Sequence, residues 1–161
     1  QQGEFRGRLP VRHGLGGGKP VLAALVAIAV VAALGLPTVV RAPSAAATGI
    51  LPAQPFSEDA LAKARASGKP VFAWFTADWC LTCKVNEQVA IEREDTRAAF
   101  ERAGVVMLRG DWTRRDPAIT RYLAAQGAAG VPLYVWYPAG GGAPQQLPQV
   151  LTPAMLADLA K

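Results

Sequence analysis

Short apolar runs recur along the chain from residue 56 onward. Residues 71–76 are almost entirely apolar, and residues 105–109 and 131–137 show the same pattern. Apolar runs of this length, without polar alternation, are typical of strands that are covered on both faces. We therefore predict three buried strands in this part of the chain.

Segments whose apolar residues have helical spacing separate these runs. Ser57, followed by Glu58 and Asp59, predicts a helix start, and residues 67–68 predict its end. Further helices are predicted from about residue 81, over residues 93–103, over residues 116–127 and from Thr152 onward. Each predicted helix places its apolar residues on one face, which must pack on another element.

The order of these elements predicts the fold class. Strands that are joined through a helix pair in parallel by a crossover connection. Gly140, Gly141 and Gly142 separate the strand at 131–137 from residues 145–150, which favours an antiparallel hairpin at the end of the sheet. We predict an α/β fold for residues 56–161, with a mixed sheet flanked by helices.

The longest apolar segment precedes this domain. Residues 21–40 carry no charge and lie between Lys19 and Arg41, which matches the ~20 residues that cross a bilayer core. Most of the flanking basic residues come before the segment, so the positive-inside rule leaves the N-terminal side in the cytoplasm. The sequence thus predicts a basic flank (1–19), one transmembrane helix (20–41), a proline-containing linker (42–55) and a domain (56–161).

A cleaved signal peptide that ends near residues 45–47 is the alternative interpretation of the same segment. Both interpretations export the domain, which in a bacterium places it in the periplasm. The anchored form would reside in the bacterial inner membrane. Because the chain starts with Gln1, it is expected to be a processed product or a piece of a longer protein.

Charge is concentrated in the N-terminal segment. The net charge of the chain is +5, of which residues 1–41 contribute +4, while residues 42–161 carry twelve basic and eleven acidic side chains. The domain therefore has no basic stripe with interleaved aromatic residues, and a nucleic-acid partner is not expected.

Cys80 and Cys83, the two cysteines of the chain, directly follow the strand predicted at 71–76. A sulfur at position 80 in the first turn of the following helix would face unpaired N–H groups, which favours the reactive thiolate. Cys83, one turn later, would lie beneath it and attack a mixed disulfide formed at Cys80. This spacing predicts a catalytic dithiol that needs no cofactor and no metal.

Four other interpretations of the cysteine pair remain open. Two coincidental free thiols would be unusual in an exported domain. A zinc site requires about four ligands, and His13 is the only histidine, so zinc would have to be shared between molecules. Two thiolates could instead hold a soft metal such as Cu(I), which would make the domain a binding module. An inert disulfide across so short a loop would contribute little to stability.

Residues near the dithiol in sequence suggest supporting roles. Lys84 either adds a modest positive field or is simply solvated. Glu87 follows Cys83 by four residues on the same helical face and, if buried, could take the proton of Cys83. Pro132 is either an ordinary trans proline at a strand start or a cis proline that leaves the backbone of Val131 free for an incoming peptide.

Taken together, these residues resemble the thioredoxin-like fold: a strand, then Trp79-Cys80-x-x-Cys83-Lys84, a helix and a later Val131-Pro132. More narrowly, three stretches resemble the C-terminal domain of DsbD-type thiol:disulfide interchange proteins. They are residues 77–84, which include Asp78 and Trp79, residues 111–113 and residues 130–134. The resemblance covers residues 56–161, and a membrane segment just before the domain also fits that family.

This resemblance implies a direction of electron flow. Such a domain takes electrons from a membrane domain of its own protein and passes them to disulfide-bearing periplasmic proteins or domains, so it acts as a protein-disulfide reductase. The immediate acceptor implied is another domain of the same protein, which serves disulfide isomerases, cytochrome c biogenesis or copper-stress proteins.

The sequence departs from the family pattern six residues before the first cysteine. Trp74 stands where thioredoxin-like proteins often have a buried acid, whereas Glu87 matches the other acidic position of the family. We therefore expect proton handling to depend on Glu87. Leu81 and Thr82 replace the Gly-Pro pair of thioredoxin itself, so its reduction potential cannot be assumed here.

Overall fold

The computed structural model describes residues 49–161. The predicted basic flank, the predicted transmembrane helix at 20–41 and the first part of the predicted linker lie outside the described residues. Within residues 49–161, no helix has the length and apolar character needed to cross a bilayer.

Helices and strands alternate along the described chain in the order that the sequence predicts, with a two-residue strand added at the start. The elements are β1 (Gln54–Pro55), α1 (Glu58–Ala66), β2 (Val71–Thr76), α2 (Leu81–Asn86), a π-helical segment (Glu87–Ile91), α3 (Glu94–Ala103), β3 (Val106–Asp111), α4 (Pro117–Ala125), β4 (Leu133–Tyr137), a 3₁₀ turn (Ala139–Gly141), β5 (Gln145–Gln146) and α5 (Pro153–Leu159).

The five strands form one mixed sheet in the order β1-β3-β2-β4-β5. The central strand β2 pairs in parallel with β3 along its whole length, from Val71 opposite Val106 to Thr76 opposite Asp111. Its other edge pairs antiparallel with β4, which in turn pairs antiparallel with β5. The predicted α/β fold with a closing antiparallel hairpin is therefore confirmed.

Both faces of the sheet are covered, as the apolar strand patterns predict. On one face, Ala73 and Phe75 of β2 pack with residues of α1 and α4, such as Leu61 and Leu123. On the other face, the cluster includes Phe72, Trp74, Tyr134, Ile91, Phe100 and Leu156, and thus joins β2 and β4 to the π-helical segment, α3 and α5. Strand β2 is buried throughout, and Ala77, which follows it and leads to the cysteines, is buried as well.

The helix starts follow local side-chain chemistry. The hydroxyl of Ser57 accepts a hydrogen bond from the backbone N–H of Ala60, and Asp116 and Thr152 cap α4 and α5 in the same way. Gly104, which ends α3, has a φ of 64°, a left-handed conformation that glycine adopts without a Cβ clash. These are the signals from which the sequence predicted the helix boundaries.

Two predicted boundaries differ from the structure. The sequence assigned residues 42–55 to a linker, yet Gln54 and Pro55 pair with Leu108 and Arg109 of β3, and Leu51 is buried. The sequence did not predict this strand, because two residues are too few to show a hydrophobic periodicity and the surrounding prolines and small residues are typical of a linker. The second hairpin strand, predicted over 145–150, is only Gln145–Gln146, since the following backbone turns away to reach Asn86.

A pair of tyrosines links α4 to β4 within the core. The hydroxyl groups of Tyr122 and Tyr137 are hydrogen-bonded to each other, and both side chains are buried. Burial and the hydrogen bond with Tyr137 raise the pKa of Tyr122 far above its ordinary value. The two phenols thereby pair with each other within a mainly apolar cluster, and the guanidinium of Arg65 lies 4.9 Å from the centre of the Tyr137 ring.

Candidate active site

Cys80 and Cys83 lie at the carboxyl end of the central strand, where β2 passes into α2. Their sulfurs form a disulfide, with Cα atoms 5.3 Å apart. Cys80 is the N-cap residue of α2, and its Sγ accepts a hydrogen bond of 3.2 Å from the backbone N–H of Cys83. The Cys80 sulfur therefore lies at the N-terminus of α2 and faces a backbone N–H group, as the sequence predicted.

The two cysteine residues differ in their exposure to solvent. Cys80 retains 7% of its surface, whereas Cys83 is completely buried. Ala77 and Val131 pack against the pair. Of the two residues, only Cys80 retains exposed surface, which agrees with the asymmetry expected for one attacking and one resolving cysteine.

The Val131–Pro132 peptide bond is cis, one of the two geometries that the sequence left open. Pro132 is buried, while Val131 is partly exposed and packs against the cysteines. Strand β4 starts only at Leu133, so Val131 lies just outside the ladder and beside the sulfurs. Pairing of the Val131 backbone with an incoming peptide stays a prediction.

Trp79 and Asp78 are positioned by the loop that follows β3. The backbone N–H of Asp78 donates to Oγ1 of Thr113 over 3.0 Å, and the indole Nε1 of Trp79 donates to the carbonyl oxygen of Thr113 over 3.2 Å. Thr113 is in turn held by Asp111, whose Oδ1 accepts from its N–H. Thr113 did not belong to the predicted site, although the motif at 111–113 that contains it was one carrier of the family resemblance.

Arg115 and Trp112 complete an aromatic surface beside the dithiol. The rings of Trp79 and Trp112 lie 5.9 Å apart, and the guanidinium of Arg115 lies within 6.0 Å of both ring centres. Arg115 has a φ of 53°, which is unusual for a residue other than glycine. Sequence reasoning missed both residues, because neither is near the cysteines along the chain.

Lys84 is neither free nor merely solvated. Its Nζ lies 2.9 Å from Oε2 of Glu87 and 3.8 Å from Oδ1 of Asp78. Two carboxylates therefore share its charge, and the net positive field that it exerts at the sulfurs is reduced. The nearby Asp111 has a lowered pKa: burial opposes its ionisation, but hydrogen bonds from Thr113 and the charges of Arg109 and Lys84 outweigh that effect.

Glu87 is mostly buried at the junction of α2 with the π-helical segment. Only one of its carboxylate oxygens is paired with Lys84; Oε1 is buried and has no hydrogen-bond partner among the described residues. Trp74, at the position of the expected acid, is likewise buried with an unpartnered indole N–H. The carboxylate predicted to handle protons thus retains one free acceptor oxygen on the helix that carries Cys83.

Comparison with known proteins identifies the family of this chain. The sequence model of a family described as thioredoxin-like matches residues 52–139. The chain belongs to the thioredoxin-like family. The start of the match at residue 52 agrees with the inclusion of β1 in the domain.

Among curated relatives, this thioredoxin-like domain is similar to thiol:disulfide interchange proteins named DsbD. It is 33% identical over 84 residues to DsbD of Vibrio cholerae serotype O1, and 36% identical over 82 residues to DsbD 1 of Pseudomonas aeruginosa. These alignments cover 52% and 51% of this chain but only 14% of each relative. The chain therefore spans about one seventh of the length of these relatives.

Solved structures show the same fold. The reduced C-terminal domain of DsbD from Neisseria meningitidis superposes with a TM-score of 0.53 at 20% identity, over 66% of this chain and 96% of that domain. A thioredoxin from Thermus thermophilus superposes with a TM-score of 0.52 at 19% identity, over 66% of this chain and 84% of that protein. At these identities the likeness concerns the fold alone.

Proposed function

We propose that this chain is a thiol–disulfide oxidoreductase that works as a protein-disulfide reductase through Cys80 and Cys83. The observation that carries the proposal is the asymmetric pair: Cys80, at the helix N-cap, retains 7% of its surface, and Cys83, which is bonded to it, is completely buried. The similarity to DsbD proteins supports the same activity.

The proposed cycle starts from the reduced dithiol. The Cys80 thiolate attacks one sulfur of a partner disulfide, forms a mixed disulfide and releases the other partner sulfur as a thiolate. Cys83 then loses its proton and attacks the Cys80 sulfur, which releases the second partner thiolate and closes the Cys80–Cys83 disulfide. Two electrons pass to the partner, whose thiolates take up two protons.

Glu87 is proposed as the group that receives the proton of Cys83. It follows Cys83 by one helical turn, and its free Oε1 is shielded from water. Lys84 would hold the carboxylate in place through Oε2. Because Trp74 replaces the acid expected on β2, no second carboxylate is proposed for this step.

Substitution of each cysteine tests the proposed cycle. Cys80→Ala is expected to abolish reduction of insulin disulfides, whereas Cys83→Ala is expected to accumulate a mixed disulfide that dithiothreitol releases. Insulin turbidity and non-reducing electrophoresis measure the two outcomes. The proposal would be refuted if wild-type protein had no activity and Cys83→Ala captured no partner. If that inactive protein, purified without oxygen, contained stoichiometric copper, the result would favour the soft-metal alternative.

The direction of transfer is a further part of the proposal. A reductase should have a reduction potential near that of thioredoxin, about −270 mV, rather than near that of the oxidant DsbA, about −120 mV. Equilibration with dithiothreitol redox buffers, followed by thiol alkylation, measures this value. A potential close to that of DsbA would indicate an oxidase instead.

We further propose that residues 20–41 anchor the domain in the bacterial inner membrane, with the domain in the periplasm. The support is the uncharged apolar segment and its basic N-terminal flank. In a Gram-negative host, alkaline phosphatase fused after Lys161 should be active and should sediment with membranes after a carbonate wash. Active but soluble phosphatase would indicate a cleaved signal, and inactive phosphatase would contradict export.

A membrane electron-donor domain and disulfide-bearing periplasmic acceptors are the proposed partners. The support is that the relatives are thiol:disulfide interchange proteins and are much longer than this chain. A role in cytochrome c biogenesis would follow if one acceptor belongs to that process.

A further inference from the structure

Exposed apolar side chains in the described part of the chain are concentrated around one helix. Within residues 49–161, six large hydrophobic residues are well exposed: Ile50, Trp79, Leu81, Val85, Val89 and Val150. Leu81, Val85 and Val89 are spaced four residues apart along α2 and the π-helical segment, with exposed fractions of 79%, 48% and 46%. Trp79 lies at the dithiol end of this row. We call Trp79, Leu81, Val85 and Val89 the apolar strip.

The other two exposed residues lie beside the same helix. Asn86 bonds to the carbonyl oxygen of Gln149 and to the N–H of Leu151, which holds Val150 next to α2. Ile50 precedes Leu51, whose N–H donates to Glu92 at the end of the π-helical segment. Such a concentration of apolar surface on one helix marks an interaction site rather than scattered surface residues.

The apolar strip is uncharged. The exposed residues between its members are Thr82 and Gln88, and Lys84 and Glu87 beside Val85 are paired with each other. The other charged groups near the strip, Asp78 and Arg115, lie at its Trp79 end, where the Arg115 guanidinium is 6.0 Å from the centre of the Trp79 ring. A partner surface that complements Leu81, Val85 and Val89 would therefore be apolar and uncharged as well. An anionic lipid surface would instead be matched by a row of basic side chains.

We propose that the apolar strip is the docking surface for the protein that carries the substrate disulfide. The inference rests on the proposed exchange at Cys80, because continuity with that sulfur identifies the occupant. Any protein that brings a disulfide to Cys80 also covers Trp79 and Leu81 on either side of it. Val85 and Val89 extend the same contact along the helix, away from Val131 and cis Pro132.

The size of the strip fits a transient encounter. Four side chains amount to a small interface, in the range below about 1,200 Å² that is typical of redox partners. A stable dimer of this chain would require a larger apolar area. An electron-transfer partner must also leave after each turnover, which a small contact without ion pairs allows.

Selectivity between a large and a small disulfide tests the docking surface. The probes are insulin and bis(2-hydroxyethyl) disulfide, and the readout is the ratio of their kcat/KM values with the full chain. Val85→Glu and Val89→Asn should each lower this ratio roughly fivefold or more, mainly through KM for insulin, because the small disulfide does not reach the strip. Ala62→Glu, on the exposed side of α1, is the matched control and should leave the ratio unchanged.

The uncharged character of the strip gives a second expectation. The kcat/KM for insulin should change less than about twofold between about 0.05 and about 0.5 M NaCl, because the side chains of the strip itself carry no charge that salt could screen. A steep decrease would indicate electrostatic docking elsewhere and would overturn the proposal.

Other outcomes also decide the question. An unchanged ratio in both variants would refute the docking surface while leaving the exchange activity intact, whereas failure of wild-type protein with both disulfides would refute the proposed function itself. Phosphatidylglycerol vesicles that slow insulin reduction by wild type but not by Val85→Glu would identify a lipid surface as the occupant. A dimer in sedimentation that Val85→Glu dissociates would identify a second copy.

Discussion

At the scale of single residues, Thr113 supports the loop that presents Cys80. Its Oγ1 accepts a hydrogen bond from the N–H of Asp78, and its carbonyl oxygen accepts one from Nε1 of Trp79. Its own N–H donates to Oδ1 of Asp111, which ties Thr113 to the end of β3. The residues directly before Cys80 are therefore held by a loop that is distant from them along the chain.

Thr113 offers a test of how much the loop before Cys80 depends on its support. Thr113→Val keeps the shape of the side chain but removes the acceptor for the N–H of Asp78. We expect a loss of stability of about 1 kcal/mol and a decrease in insulin reduction of roughly threefold to tenfold, because the loop that presents Cys80 becomes less ordered. Urea unfolding and insulin turbidity measure the two effects.

Thr113→Ser is the matched control for that experiment, since it retains the hydroxyl and should behave almost as wild type. If Thr113→Val and Thr113→Ser reduce insulin at the same rate, the hydrogen bond to Asp78 does not organise the site.

The residues of the site differ in how far the sequence reveals them. Cys80 and Cys83 were predicted because their spacing and the preceding strand are local features. Thr113, Trp112 and Arg115 were not predicted as site residues, because they reach Trp79 only through the pairing of β2 with β3, although residues 111–113 contributed to the family resemblance. The roles assigned to Glu87, Lys84 and the cis proline stay predictions.

Tyr134 predicts a dependence of stability on alkaline pH. Burial raises its pKa to about 12 from the ordinary 10.0; the charge of Glu87 adds to the shift, and the hydrogen bond from Asn86 opposes it. The unfolded chain therefore loses this proton at lower pH than the folded one does. The contribution is fully present below about pH 10 and is lost as the pH rises through about 12.

Urea unfolding of wild type and Tyr134→Phe at about pH 9 and about pH 11.5 checks this expectation. Wild type should lose on the order of 1–2 kcal/mol more than the variant between the two pH values. Equal losses would show that Tyr134 ionises as readily in the folded state as in the unfolded chain.

At the scale of elements, α2 and the π-helical segment are organised by one buried amide. Nδ2 of Asn86 donates to the hydroxyl of Tyr134 and to the carbonyl oxygen of Gln149, and its Oδ1 accepts from the N–H of Leu151. This residue therefore connects the helix of the dithiol to β4 and to the segment before α5. The sequence could not show these links, because their partners lie 48 to 65 residues away.

Asn86→Ala should destabilise the domain by roughly 2–4 kcal/mol, because it leaves two buried groups, the hydroxyl of Tyr134 and the N–H of Leu151, and the partly buried carbonyl of Gln149 without this partner. Gln88→Ala, at an exposed position of the adjoining π-helical segment, is the control and should change stability by less than about 0.5 kcal/mol. Urea midpoints of the oxidised proteins give the comparison. A loss below about 1 kcal/mol in Asn86→Ala would mean that water replaces the amide with little cost.

At the scale of the whole molecule, the fold class was predictable, whereas its first strand was not. Buried strands and capped helices leave strong periodic signals, so the mixed sheet and the order of its main elements follow from the sequence. Gln54 and Pro55 join the sheet only because β3 offers them an open edge, which is a tertiary effect. The same holds for Leu51, which is buried among residues from distant elements.

A chain that starts at residue 56 should therefore be less stable than one that starts at residue 49. The expected loss is about 2–3 kcal/mol, since burial of Leu51 alone contributes on that order and β1 adds two strand pairings. Leu51→Ala in the longer chain should reproduce most of the loss. Equal urea midpoints for the two chains would show that residues 49–55 act as a linker, as the sequence first indicated.

The hydroxyl pair of Tyr122 and Tyr137 limits how the core can be redesigned. Replacing one tyrosine with phenylalanine leaves the hydroxyl of the other buried without its hydrogen-bond partner. Replacing both removes the two hydroxyls together, so neither is left unpaired. The two positions should consequently behave as a unit, with the double replacement tolerated better than the sum of the single ones. A selection for folded variants would then recover two tyrosines or two phenylalanines, and rarely one of each.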